Sequence, residues 1–243
     1  MPSAFLWPAL VPYALRAPAP VNLGVGCLMF SAAVFDMDGL LIDSERAIRD
    51  AWQSAAQERG ITISTSQYAS VVGRASAEAD AQLASFIGGE EAFEETRQVV
   101  ISKLKVFPAK PGATELLSGL RKRKIPCAVA SSSSTAEIRR RLEAVGLAEY
   151  FHSFAGGNEV QKGKPDPSVY LLAARRLGVS PEKCLAFEDS QNGIRSAVSA
   201  GMQVVAVPDL VKPDTSTCLI KLGSLDRAVQ HIEAWFPNAK TGT

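Results

Sequence analysis

The run Ala32-Ala33-Val34-Phe35-Asp36-Met37-Asp38-Gly39 passes from four apolar side chains to two carboxylates one residue apart, and then to a glycine. A strand sends successive side chains to opposite faces, so an Asp-x-Asp pair inside a sheet exposes one acid and buries the other. If the strand stops at Asp36, a turn eased by Gly39 swings both carboxylates toward one crevice, which suits a hard cation and a phosphate. Taken alone, such a pair more often marks an ordinary turn or helix cap. The rest of the chain decides between the two.

A chain of 243 residues forms one large domain or a core with a smaller companion, and buries a real hydrophobic core without disulfides or metal. Its net charge of +1 provides no global field to recruit nucleic acid or an acidic membrane. Cys27, Cys127, Cys184 and Cys218 are scattered without a Cys-x-x-Cys, as expected of reduced thiols in a cytoplasmic protein. With only His152 and His231, a histidine-based zinc site is not expected. Residues 1–28 are broken by five prolines and carry one charged side chain, Arg16, so they cannot form a continuous helix. They are expected to be a disordered extension, or one mis-assigned ahead of a start at Met29, rather than a secretory signal. No stretch is long and apolar enough to span a membrane.

Beyond the acidic pair, Ala47, Ile48, Ala51, Trp52, Ala55 and Ala56 lie on one stripe of a helix expected from Ser44 to Arg59 and ended by Gly60. Helical patterning continues to about Val106 with no strand-like apolar run, which predicts an all-helical insertion over residues 44–107. After Pro108 and Pro111-Gly112 the rhythm changes to alternating helices and strands. Strands are expected at Pro126–Ala130, Phe151–Ala155, Cys184–Phe187 and Gln203–Val207, alternating with helices at Thr114–Lys122, Thr135–Val145, Ser168–Leu177 and Gly193–Ala200. That order implies right-handed crossovers and a doubly wound α/β core, residues 29–43 and 108–243, built on a parallel sheet.

Ligands in such sheets lie beyond the carboxyl ends of the strands, so polar residues after each apolar run are the candidates. They are Asp36 and Asp38 after the first strand, Ser131-Ser132-Ser133-Ser134 after the second and Glu188-Asp189 after the fourth, with Lys164-Pro165 just before a helix. Each has a plain alternative as a cap or loop residue, and Ser134 with Glu137 matches a capping box. Together at successive strand ends they read as one site. The string Phe35-Asp36-Met37-Asp38-Gly39-Leu40-Leu41-Ile42-Asp43-Ser44-Glu45 resembles the signature of the haloacid dehalogenase superfamily, in its β-phosphoglucomutase-like phosphatase branch. The likeness reaches Ser131, Lys164 and Glu188-Asp189 in order and spans about Met29 to Val207.

The resemblance implies a Rossmann-like core with a mobile helical cap, and a Mg²⁺-dependent hydrolase of small phosphate esters. Asp36 is then the nucleophile, forming an aspartyl phosphate, and Asp38 the general acid and base. Up to four carboxylates around a phosphate dianion need neutralising: unit charges 4 Å apart repel by about 4 kcal/mol at an effective dielectric of 20. Oxygen donors select Mg²⁺, held by Asp36, Asp189, Glu188 and the backbone carbonyl of Asp38. Lys164 joins Asp36 to the phosphate, and Ser131, Ser132 and Ser133 offer donors to phosphoryl oxygens. Gly73 and Arg74 fall at the family's substrate-specificity loop, where Arg74 recognises a hydroxyl or second anion or is simply solvated.

Asp38 speaks against a dehalogenase, and the absence of any lysine before Lys103 against a Schiff-base phosphonate hydrolase. A β-phosphoglucomutase-type mutase shares most of the motifs, but Ile48 stands where that enzyme carries a cap histidine. A catalytically silent interaction protein of the same fold is the alternative from another class. The run Arg139-Arg140-Arg141 is expected mainly on a solvated helix face and not as a nucleic-acid patch. The expected partner is a small-molecule phosphate ester, without nucleic acid or membrane, and the expected state is a monomer.

Overall fold

A computed structural model describes residues 29–72, 76–104 and 107–237. Strand β1 (Ala32–Phe35) leads into four helices, α1 (Ser44–Glu58), α2 (Thr65–Ala69), α3 (Ser76–Ile87) and α4 (Glu90–Lys103). There follow α5 (Ala113–Lys122), β2 (Cys127–Ser131), α6 (Thr135–Ala144), β3 (Ser153–Gly156), α7 (Ser168–Leu177), β4 (Cys184–Glu188), α8 (Gln191–Ser199) and β5 (Gln203–Ala206). The described chain closes with β6 (Ile220–Lys221), α9 (Asp226–Val229) and α10 (Ile232–Trp235). All strand pairs are parallel, in the order β3-β2-β1-β4-β5-β6.

Both faces of this sheet are covered, which is why its strands read as continuous apolar runs. Phe35, Val129, Phe187 and Val205 face the layer containing α5, α6, α9 and α10, and the rings of Phe35 and Phe187 stack at 4.6 Å. Val34, Ala128, Ala130, Ala186 and Ala206 face α7 and α8. Alanines on this second face let α7 settle close to the sheet, which brings Tyr170 into full burial. The chain builds outward from β1 through β2 to β3, then returns to the other side of β1 with β4. A crevice opens where the winding reverses, beyond the carboxyl ends of β1 and β4.

The four helices of the insertion pack around a core of their own. Trp52 of α1 stacks on Phe93 of α4 at 5.3 Å, with Tyr68, Leu83 and Ile87 beside them. Ser64 begins α2 with a capping box closed by Gln67. Ile48 touches both this cluster and the larger core, so it is packing at the junction of the two bodies.

Two connections join the insertion to the sheet, and they are hydrogen-bonded to each other. Asp43 N–H donates to Pro108 O at 2.8 Å, Lys110 N–H donates to Leu41 O at 2.9 Å, and Ile42 bridges Ala109 in antiparallel fashion. Ion pairs brace this ribbon: Asp209, past the end of β5, receives Lys110 at 2.7 Å and Arg46 of α1 at 2.5 Å. Arg46 also pairs with Asp43 at 3.1 Å.

The expected doubly wound core with an all-helical insertion is what the structure has, and each expected strand and helix of the core lies within about two residues of its observed span. Three elements escaped the sequence reading: β6, α9 and α10. A two-residue strand and two four-residue helices are too short to show a period. The capping box of α6 is half made. Ser134 Oγ accepts from Glu137 N–H at 3.3 Å, but the Glu137 carboxylate turns to Arg140 and Arg141 instead of closing the box. The expectation for residues 1–28 lies outside the described residues.

Candidate active site

At the end of β1 the backbone turns back within a few residues: Leu41 and Ile42 N–H both donate to Met37 O. Gly39 sits at φ +82°, and a Cβ there would overlap the Asp189 carboxylate. A glycine is therefore required both for the turn and for the approach of the two acidic segments. The turn brings Asp36 and Asp38 into the wall of one cavity of about 570 Å³, together with Ser131, Ser132, Lys164 and Asp189. Three strand-end segments and the loop before α7 thus line one cavity.

Lys164 is the centre of the charge arrangement. Its Nζ donates to Asp36 Oδ1 at 2.5 Å and to Glu188 Oε1 at 2.6 Å, with a side chain only 6% exposed. Glu188 is fully buried and its second oxygen accepts from Asp189 N–H, Ser190 N–H and Ser190 Oγ at 3.0–3.1 Å. Tyr170, which the sequence reading passed over, donates its hydroxyl to Glu188 Oε1 at 2.7 Å and presents its ring to Lys164 Nζ at 4.9 Å. Nothing short of the fold separates Tyr170 from the ordinary apolar residues of its helix stripe.

Gly193 opens the space that Glu188 fills, because a Cβ at residue 193 would land on that carboxylate. Replacing Gly193 with Ala is expected to displace Glu188 and, through it, Lys164. Urea denaturation should show a loss of about 2–3 kcal/mol from overpacking, the normal cost in a filled core. An unchanged midpoint would mean that Glu188 has room to move.

Asp36, Glu188 and Asp189 place ligand oxygens within 4.8 Å of one another, all three buried. Burial pushes the Asp36 carboxyl up to about 7 despite the opposing pull of Lys164, with Glu188 adding to the rise. Burial also drives Asp189 well above the carboxylate range, helped by Glu188 and Asp36. Asp189 Oδ1 is buried with no hydrogen-bond partner. A divalent cation answers each of these features: it needs oxygen donors, stabilises ionised carboxylates and satisfies the orphan oxygen. The residues fit such an ion.

Asp38 is held by side chains from two directions. Its Oδ1 accepts from Ser44 Oγ at 2.7 Å and from Arg141 at 2.6 Å, and its Oδ2 accepts from Ser133 Oγ at 3.2 Å. Arg139 and Arg140 have side chains 58% exposed, as expected for a solvated face, but Arg141 is only 19% exposed. The expectation that all three arginines lie mainly in solvent is corrected for Arg141: with Glu137 at i−4 it occupies the α6 face that looks toward β1. Ser131 is buried, and its Oγ accepts from Ser133 N–H at 3.1 Å. Ser133 thus meets Asp38 with its hydroxyl, while Ser131 and Ser132 line the cavity. Glu45, Gln191 and Asn192 add polar groups to the cavity wall. Gly73 and Arg74 lie outside the described residues.

A family model for haloacid dehalogenase-like hydrolases matches residues 30–201. The chain belongs to that family. Hexitol phosphatase A of Escherichia coli K12 is 35% identical over 180 residues, covering 72% of this chain and 81% of the relative. A beta-phosphoglucomutase of Bacillus subtilis is 32% identical over 212 residues, covering 79% and 92%. Among solved structures, a haloacid dehalogenase family hydrolase of Deinococcus radiodurans R1 with bound phosphate and sodium superposes with a TM-score of 0.75 at 29% identity, covering 85% of this chain and 97% of that one. The family places the chain among hydrolases whose phosphatases generally use a divalent metal. Among the described residues, no helix is long and apolar enough to cross a membrane.

Proposed function

We propose that this chain is a Mg²⁺-dependent phosphomonoesterase acting on a small sugar or polyol phosphate. The observation that carries the reading is Lys164 bridging Asp36 and Glu188 beside Asp189, whose buried oxygen has no partner. A cavity of about 570 Å³ suits a small metabolite, and Glu45, Gln191 and Asn192 offer partners for its hydroxyl groups.

In this reading Asp36 attacks phosphorus, the bond from phosphorus to the alcohol oxygen breaks, and the phosphoryl group stays on Asp36 as an acyl phosphate. Asp38 gives a proton to the departing oxygen and then takes one from the water that hydrolyses the acyl phosphate, which restores Asp36. Lys164 holds the nucleophile in place and offsets the charge gathered around it. Ser131, Ser132 and backbone N–H groups at the start of α6 hold phosphoryl oxygens. Asp36, Asp189, Glu188 and the Asp38 carbonyl would hold the ion, which would supply positive charge to neutralise the acids and polarise the phosphoryl group. Residues 44–107 form the cap over the 29–43 and 108–243 core. Arg74, at the position of the family's substrate-specificity loop, serves in this reading as a substrate contact of the cap.

Hydrolysis is favoured over a mutase reaction by Ile48, which is packed between two apolar clusters and carries no group that could handle a proton. A panel of sugar and polyol phosphates tests the assignment by release of inorganic phosphate. Release is expected to stop on treatment with EDTA and to return with Mg²⁺. Persistent release from metal-free protein would remove the ion from the proposal, and no release from any member would remove the enzyme.

A further inference from the structure

We infer that Arg141 is a positioning residue for Asp38; the inference rests on the phosphatase reading above. Arg141 stands on α6, away from the strand-end motifs, yet its guanidinium reaches Asp38 Oδ1 at 2.6 Å. Its Nε donates to Glu137 Oε1 at 2.5 Å, so one planar fork is fixed at both ends. The same guanidinium lies over the ring of Phe107, 4.9 Å from its centroid. Phe107 is buried and belongs to the returning connection between the helical insertion and the sheet.

These contacts leave Arg141 little freedom. A long cationic side chain ordinarily loses much rotamer entropy on forming a single ion pair, which is why solvated pairs contribute little. Here the cost is shared over an ion pair to Glu137, stacking on Phe107 and the bond to Asp38. Ser44 and Ser133 also bind the Asp38 carboxylate, but a serine hydroxyl rotates to suit its acceptor and sets direction weakly. The guanidinium, fixed from behind by Glu137, is the one charged donor among the three. It sets where the Asp38 carboxylate lies relative to the leaving oxygen.

Asp38 matters most when the leaving oxygen needs a proton. An alkoxide leaving from a sugar or polyol phosphate needs one in the transition state, whereas p-nitrophenolate leaves readily without. Loss of Arg141 should therefore separate the two substrate classes. Arg141→Met is expected to lower kcat for the fastest sugar or polyol phosphate of the panel about tenfold, a part of the 10²–10⁴ usually carried by a general acid. Turnover of p-nitrophenyl phosphate should stay within about twofold of wild type, and KM for both should change little. Arg141→Lys keeps the charge without the fork and should recover part of the loss. Glu137→Gln, which frees the back of the guanidinium, should give a smaller loss of the same selectivity.

Equal losses on both substrates in Arg141→Met would mark a merely structural residue and overturn the inference, as would no loss on either. If Arg141→Met fails to fold, Glu137→Gln decides by the same ratio. A wild-type protein that hydrolyses neither class would instead overturn the phosphatase reading, and this inference with it. An active wild type whose variants show no selectivity overturns the inference alone.

Discussion

Asp36→Asn should abolish turnover, by about 10⁴-fold or more, while the protein keeps its fold. The magnitude follows from what the amide lacks. It cannot attack phosphorus or form an acyl phosphate, and no other group of the site can take the place of a nucleophile fixed at the end of β1. Glu188 is bound through both oxygens, Asp38 is engaged by Ser44, Ser133 and Arg141, and Asp189 is given over to the ion in the proposed site. The fold should tolerate the change because burial already makes the ionised form of Asp36 costly in the metal-free protein. Asn is nearly isosteric, and its carbonyl oxygen still accepts from Lys164, which retains Glu188 as a counter-charge. Phosphate release and thermal melting measured on the same preparation check both halves. Turnover within tenfold of wild type would refute the nucleophile assignment.

Lys164→Met should instead be costly to stability. The substitution keeps length and apolar bulk but removes the cation that stands between two buried acids. Asp36 and Glu188 would then face each other and Asp189 without the cation that pairs with both of them. Breaking a buried ion pair from one side typically costs about 3–5 kcal/mol, because the remaining charge stays desolvated. A fall of that size should appear in urea denaturation of the metal-free protein. Millimolar Mg²⁺ should restore more of the midpoint in the variant than it adds to wild type, since binding to the native state stabilises by mass action. An equal Mg²⁺ increment in both proteins would mean that Lys164 and the ion do not share the same acids. Activity should fall as well, because the nucleophile loses its neighbour.

The parts of this molecule legible in its sequence share one property: their signal is local. The step from Val34-Phe35 to Asp36-Met37-Asp38-Gly39 announces a buried strand, its end and its turn within a few residues, and the turn glycine is indeed left-handed. The α7 span Ser168–Leu177 follows from its apolar stripe and the glycine after it, which caps the helix at φ +67°. Two residues whose role depends on a partner far along the chain, and which no local motif marks, were not legible. Tyr170 looks like core until β4 brings Glu188 under its hydroxyl. Arg141 looks like one of three surface arginines, and a rotation of 100° per residue about α6 decides which of them meets Asp38. The serines differ for a similar reason. Ser131 through Ser134 are identical in letters, but the first ends β2 in full burial, while the turn after it aims the third at Asp38 and makes the fourth a helix cap.

The ribbon formed by Ile42 and Ala109 has a consequence for how substrate reaches the acids. Two separate tethers would let the four-helix body twist and slide independently of the sheet. Bonded to each other, they confine it to something closer to a single swing, as a door is confined by its pin. The pin is continuous with the chemistry, because Leu41 and Ile42 are tied through Met37 O to the very loop that carries Asp36 and Asp38. Pro108, through its bond from Asp43 N–H, is joined to the same stretch of chain. A swing of the proposed cap and a shift of the two carboxylates would therefore pass through the same few hydrogen bonds.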